Sequence, residues 1–145
     1  MPYIRVWIHF VWSTKGREKL IHAGLRPPLL SHITENAKKK SIFIDSLNCV
    51  EDHIHLLVSL GSEQTLSKMV QLIKGESSFW INKNELTKGR FEWQGDYFAV
   101  SVSESGVAKV RSYIKRQEEH HRRKSYQEEY EEFIEKYGFD ILKRG

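Results

Sequence analysis

Two histidines one residue apart open the question of chemistry in this chain: His53 and His55, within Glu51-Asp52-His53-Ile54-His55-Leu56-Leu57-Val58. On a β-strand, side chains alternate between faces, so both imidazoles project from one face about 6.5 Å apart along the strand. Ile54, Leu56 and Val58 point the other way. One face can pack while the other binds a cation, because neutral imidazole is a common ligand for divalent metals. An isolated His-x-His is equally compatible with a solvated sheet face, and the choice between the two rests on the rest of the chain. Asp52 fits best as a turn residue before the strand, with orientation of a histidine as the alternative.

A metal centre that does chemistry needs a third ligand and a reacting group. Of the six tyrosines, only Tyr113 has a metal-capable residue one helical turn away, Gln117. Tyr126 has Tyr130 at that spacing, Tyr130 has Ile134 and Tyr137 has Ile141. A helical tyrosine is also an ordinary packing residue, and a glutamine an ordinary surface one.

The elements that must position these groups are legible from periodicity. Tyr3 to Trp12 alternates, with Ile4, Val6, Ile8, Phe10 and Trp12 as one set and Tyr3, Arg5, Trp7, His9 and Val11 as the other, which predicts a first strand. Leu25 to Lys39 reads as a helix with Pro27 and Pro28 in its first turn, and the lysines at 38–40 favour its C-terminal end. Ser41 to Leu47 and His53 to Leu60 predict a hairpin of two strands. Leu66, Met69, Val70, Ile73, Trp80 and Ile81 place an amphipathic helix over 65–84. Asp96 to Ser103 is a fourth strand. Ser103 or Ser105 then caps a helix with the seam Val107, Val110 and Ile114 and a second face of Tyr113, Gln117 and His121. A basic run over 120–124 and an acidic helix over 127–137 follow.

The order β-α-β-β-α-β is the ferredoxin-like, RRM-like split pattern, an α+β fold. It predicts a four-stranded antiparallel sheet with two helices on one face and the other face free. The helix carrying Tyr113 is an addition to that core, and the free face is where His53 and His55 would point.

The 145 residues suit one domain spanning 1–145, and 39% hydrophobic with 12% aromatic content argues against disorder. No apolar stretch approaches the roughly 20 residues of a membrane-spanning helix, and the N-terminal stretch lacks a signal peptide's form, so a cytoplasmic protein is expected. The single cysteine, Cys49, excludes a disulfide framework and a cysteine zinc cage, and its expected role is packing. The absence of a Gly-x-x-x-x-Gly-Lys-Ser/Thr pattern argues against a nucleotide cofactor. A formal charge of +4 and a pI near 9.1 favour acidic partners, nucleic acid first among them.

Asp52-His53-Ile54-His55-Leu56-Leu57-Val58, Trp93-Gln94 with Tyr97-Phe98, and Tyr113-Ile114-Lys115-Arg116-Gln117-Glu118-Glu119-His120 together resemble the HUH single-tyrosine transposases of the insertion-sequence-200 type and their repetitive-palindrome-associated relatives. The match spans nearly the whole chain. Its His-hydrophobe-His strand is weak alone and specific in combination with Tyr-x-x-x-Gln in this order. Glu51 departs from the family's usual proline, which touches only the turn geometry.

The resemblance implies that His53, His55 and Gln117 bind a divalent ion, Mg2+ or Mn2+, and that Tyr113 attacks a phosphodiester in single-stranded DNA. It further implies a 5′-phosphotyrosine intermediate, hairpin or palindromic element ends as substrate, and a homodimer. In such dimers the tyrosine helix typically reaches the other subunit's histidines; the sequence leaves cis and trans arrangements both open. Lys15, Arg17, Lys68, Lys74, Lys115 and Arg116 are the candidates for contact with the DNA backbone. The alternatives are an RNA-recognition-like binding module without catalysis and a replication-initiator or relaxase-type nickase.

Overall fold

A computed structural model describes residues 3–121, 128–129 and 131–132. The chain runs β1 (Trp7–Ser13), α1 (Arg26–Lys39), β2 (Phe43–Cys49), β3 (His53–Ser59), α2 (Leu66–Lys83), β4 (Phe98–Val102), α3 (Val107–Lys115) and α4 (Gln117–His121), with 3-10 turns at Lys15–Arg17 and Glu104–Gly106. The strands form one antiparallel sheet in the order β2-β3-β1-β4, the ferredoxin-like arrangement expected. No helix among the described residues is long and apolar enough to cross a membrane. Of the expected helix over 127–137, residues 128, 129, 131 and 132 are helical, and the remainder lies outside the described residues, as do positions 122–124 of the basic run.

The register explains the side-chain sorting. Phe10 pairs with Leu56 and Trp12 with Ile54 across the two central strands. These residues, with Ile8 and Val58, join Leu29, Ile33, Met69, Val70, Ile73 and Ile81 from α1 and α2 in the main core. Fully burying side chains of this kind stabilises by about 1.5–3 kcal/mol each. Cys49 closes β2 inside that core, and burial pushes its thiol up to about 12. Phe91 and Trp93, in the connection before β4, also reach the core, and Trp93 Nε1 donates to Ser77 Oγ of α2 at 2.9 Å. Gln94 beside it accepts hydrogen bonds from the backbone and hydroxyl of Ser13, which ties the same connection to the end of β1.

Three expectations change. The first strand begins at Trp7 rather than Tyr3, because pairing with both neighbours starts there, opposite Ser59 and Val102. Tyr3 is fully exposed. The second sheet face is not open to solvent. α3 lies on it, and Val107 and Ile114 form a second apolar cluster with Trp7 and Leu57, flanked by Val102, Val110 and Tyr113. Finally, the helix of Tyr113 does not continue through Gln117 as one rod. It stops at Lys115, Arg116 leaves helical geometry (φ −95°, ψ 18°), and Gln117 opens α4. Asn48 Nδ2 donates to the carbonyls of Ile114 (2.9 Å) and Lys115 (3.3 Å), satisfying terminal acceptors that would otherwise call for a further helical turn.

Candidate metal centre and tyrosine

β3 delivers His53 and His55 on the face opposite Ile54, Leu56 and Val58, as its alternation requires, but both imidazoles are fully buried. A buried imidazole needs partners for both ring nitrogens, since an unmet polar atom away from water is costly. Asp52 Oδ1 lies 2.8 Å from His53 Nδ1. Asp52 is therefore more than a turn residue. His55 Nδ1 lies 3.0 Å from His9 Nε2 of β1. His9 is opposite Leu57 in the ladder, which makes it the diagonal neighbour of His55 on the same face. With both Nδ1 atoms engaged, both Nε2 atoms face a common point. Outer partners of this kind fix ring orientation in metal-ligating histidines.

At that point stands Glu129, which the sequence reading did not single out as a site residue. Its carboxylate places Oε1 2.8 Å from His55 Nε2 and Oε2 3.5 Å from His53 Nε2, and it too is buried. One ligand atom each from His53, His55 and Glu129 lie within 4.8 Å of one another. Burial works against the charge on Glu129, but hydrogen bonds and charge from His53 and His55 outweigh it and hold the carboxyl far below the usual range. Burial likewise opposes protonation of His53, and its contacts with Asp52 and Glu129 reverse the effect, raising its pKa above 6.5. No local sequence signal marks Glu129. Lying in an acidic segment among other glutamates, it reads as solvated helix.

Tyr113 completes the cluster from α3. Its hydroxyl donates to Glu129 Oε1 at 2.5 Å, and its ring meets those of His55 and His9 edge-on, with centroids 5.5 and 6.2 Å away. Burial, then the charge and hydrogen bond of Glu129, raise its pKa above the ordinary 10. The phenol is neutral in this state. Gln117 is fully buried, its Nε2 approaching the Tyr113 carbonyl at 3.5 Å, and its Oε1 has no hydrogen-bond partner among the described residues. The two imidazoles and the Glu129 carboxylate, converging within 4.8 Å, are a donor set that suits a divalent cation.

The six basic candidates are scattered. Lys15 and Lys74 line one cleft of about 690 Å3 with Gln71, Arg90, Trp93 and Tyr97. Lys74 donates to the carbonyls of Gln94 (2.7 Å) and Asp96 (2.9 Å), and burial pulls its pKa down to about 8. Lys15 pairs with Glu92 at 3.0 Å. Arg17 is exposed on the 3-10 turn, which adjoins the histidine strand because Thr14 N donates to Asp52 O at 2.8 Å. Lys115 and Arg116 are exposed at the α3–α4 break, beside Gln117. Lys68 is exposed in the first turn of α2.

A ferredoxin-like sheet with buried paired histidines and a helical tyrosine on one face is found here in a transposase, an enzyme of DNA transposition, as comparison with known proteins establishes. Residues 3–117 match the model of the IS200-like transposase family, and the chain belongs to that family. It is 25% identical over 115 residues to the ISDra2 transposase TnpA of Deinococcus radiodurans, covering 75% of this chain and 81% of that protein. It is 26% identical over 114 residues to the transposase for insertion sequence element IS200 of Salmonella typhimurium, covering 75% and 74%. Two solved structures share the fold. A transposase from Deinococcus radiodurans R1 aligns with a TM-score of 0.64 at 23% identity, over 81% of this chain and 95% of its own. A REP-associated tyrosine transposase bound to a REP hairpin aligns with a TM-score of 0.62 at 16% identity, over 83% and 72%.

Proposed function

We propose that this transposase cleaves and rejoins single-stranded DNA at hairpin-bearing, palindromic element ends, with Tyr113 as the nucleophile. The observation that carries the reading is the convergence of the Tyr113 hydroxyl and the Nε2 atoms of His53 and His55 on one buried carboxylate. Tyr113 Oη loses its proton as it attacks the scissile phosphorus, the bond to the 3′ oxygen breaks, and that oxygen takes up a proton to leave as a 3′-hydroxyl. The 5′ phosphate remains on Tyr113. Because the phosphotyrosine conserves the bond energy, a 3′-hydroxyl on another strand can reverse the step without a nucleotide cofactor.

His53, His55 and Gln117 would hold a divalent ion, with Glu129 as a further oxygen donor. Bound there, Mg2+ or Mn2+ supplies Lewis-acid polarisation of the phosphate and offsets its developing charge. Mixed imidazole and oxygen donors suit Mn2+ at least as well as Mg2+. His9 and Asp52 hold the imidazoles in register, and Glu129 aims the phenol at them. Hairpin recognition is supported by the REP hairpin bound to a fold relative. A homodimer is proposed from the family resemblance, with Lys15, Arg17, Lys68, Lys74, Lys115 and Arg116 as backbone contacts. A base-stacking module without catalysis would need the sheet face that α3 covers.

The test is incubation of the full chain with labelled hairpin-bearing single-stranded DNA and Mn2+, followed by detection of an SDS-resistant adduct. Tyr113→Phe is expected to lower adduct formation by at least about a thousandfold. An adduct that persists in that variant sinks the nucleophile assignment.

A further inference from the structure

We propose that Gln94, gripped by Lys74, is a positioning residue for His53: it clamps the end of β1 that fixes the Asp52–His53 corner of the metal site. This rests on His53 and His55 being metal ligands, and it adds residues reached from α2 on the opposite face of the sheet. Gln94 holds Ser13 at three atoms. Its Oε1 accepts from Ser13 N and Ser13 Oγ, and its own backbone N donates to Ser13 O at 2.9 Å. Ser13 stands directly opposite His53 in the β1–β3 ladder and is buried on the same face. Paired residues carry their Cβ atoms only about 4.5–5.5 Å apart, so a shift of Ser13 reaches the imidazole. The next residue passes the clamp to Asp52. Thr14 N donates to Asp52 O at 2.8 Å, and Asp52 Oδ1 lies 2.8 Å from His53 Nδ1.

What fixes Gln94 comes from α2. The connection before β4 joins the sheet through an isolated bridge, Thr14 to Trp93, and α2 grips it from the other side. Lys74 and Ser77, three residues apart, share a helix face. Ser77 Oγ takes the Trp93 Nε1 hydrogen bond at 2.9 Å, while Lys74 Nζ donates to Gln94 O at 2.7 Å and to Asp96 O at 2.9 Å. The same ammonium lies 5.5 Å from the Trp12 ring centroid and 5.8 Å from that of Tyr97, within cation–π range of both. Bonds from a charged donor are roughly twice as strong as neutral ones, and a half-buried setting strengthens them. A lysine so engaged serves the protein's own backbone. Removing the direct outer partner of a ligating histidine costs about 10- to 100-fold in metal affinity, and Gln94 acts one step further out, so a smaller loss is expected.

In the full chain without DNA, Gln94→Leu and Lys74→Met should each weaken Mn2+ binding by about 3- to 10-fold in a calorimetric titration. Gln94→Glu keeps an acceptor oxygen for both Ser13 donors and should bind Mn2+ as the wild type does. A side chain that only fills space would give the reverse order, with Leu tolerated and Glu not, and that result would overturn the proposal. Asp52→Ala combined with Gln94→Leu should bind no more weakly than Asp52→Ala alone, because the two act along one chain of contacts, and additive losses would overturn it. Lys74→Met carries the test where Gln94→Leu fails to fold. Wild-type Mn2+ affinity in Lys74→Met, whether or not its affinity for hairpin DNA falls, would overturn the clamp and leave the metal site intact. A wild-type chain that binds no Mn2+ would overturn both readings together.

Discussion

The two faces of β1 and β3 are interiors of different kinds, though they differ only by a step of one residue. Phe10, Trp12, Ile54, Leu56 and Val58 meet α1 and α2, where shape and apolar area decide the outcome. His9, Ser13, His53 and His55 are equally buried on the other face, beneath α3 and Glu129. There, each polar atom needs a partner, because desolvation without a hydrogen bond costs more than the bond contributes. The difference teaches how a small sheet holds a reactive site. Tight packing on the helix side makes the strands rigid, and rigid strands set the imidazoles in place on the other side.

The comparison predicts that the faces fail in different ways. The largest effect is expected from His53→Ala combined with His55→Ala, which should cut adduct formation at least about ten-thousandfold, roughly 5 kcal/mol of barrier, in a chain that still folds by circular dichroism. Removing divalent metal with a chelator should match it, and cleavage surviving either treatment would break the functional half of the comparison. Leu56→Ala, one residue away, should instead cost about 2–5 kcal/mol of stability in urea unfolding. Its adduct rate under folding conditions should remain near wild type. A reversed pattern would mean that the two faces are not separable.

Smaller effects sharpen the picture. His9→Ala and Asp52→Ala each remove the Nδ1 partner of a histidine, and each should weaken Mn2+ affinity by about 10- to 100-fold in a calorimetric titration. Unchanged affinity would reduce both residues to packing. The smallest effect concerns Asp45, whose carboxyl is held below 3.8 by its hydrogen bonds to Arg111. A depressed carboxyl stabilises the fold above its unfolded value and loses that contribution as pH falls through its folded value. Asp45→Asn should therefore flatten the acid limb of stability between about pH 2 and pH 5 by less than about 1 kcal/mol, measured by urea unfolding.

Most of the scaffold was legible because it is written locally. Alternation placed β2, β3 and β4 within two residues of their bounds, and the stripe of Met69, Val70, Ile73 and Ile81 placed α2. The capping of that helix by Thr65, which accepts from Lys68 N at 3.2 Å, is also a local pattern. What escaped is what depends on a distant partner. The alternation of Tyr3 to Val6 predicts a first strand that starts earlier than it does, since the registers with both neighbours begin only at Trp7. The spacing of Tyr113, Gln117 and His121 predicts one unbroken helix, while the folded chain breaks it at Arg116, where Asn48 of β2 donates to the carbonyls of Ile114 and Lys115.

The site divides along the same line. By itself the sequence determined that His53 and His55 share a face of one strand, that Gln117 follows Tyr113 at a spacing of four residues, and that the chain resembles a transposase. Each follows from spacing along the backbone or from motifs in order, and none needs the chain to fold back on itself. Only the tertiary structure decided that α3 covers the sheet, that His9 and Asp52 brace the two imidazoles, and that Glu129 stands among His53, His55 and Tyr113. Burial and pairing belong to the assembled chain: an acidic residue in a run of glutamates carries no local sign that packing will withdraw it from water and set it between two imidazoles and a phenol.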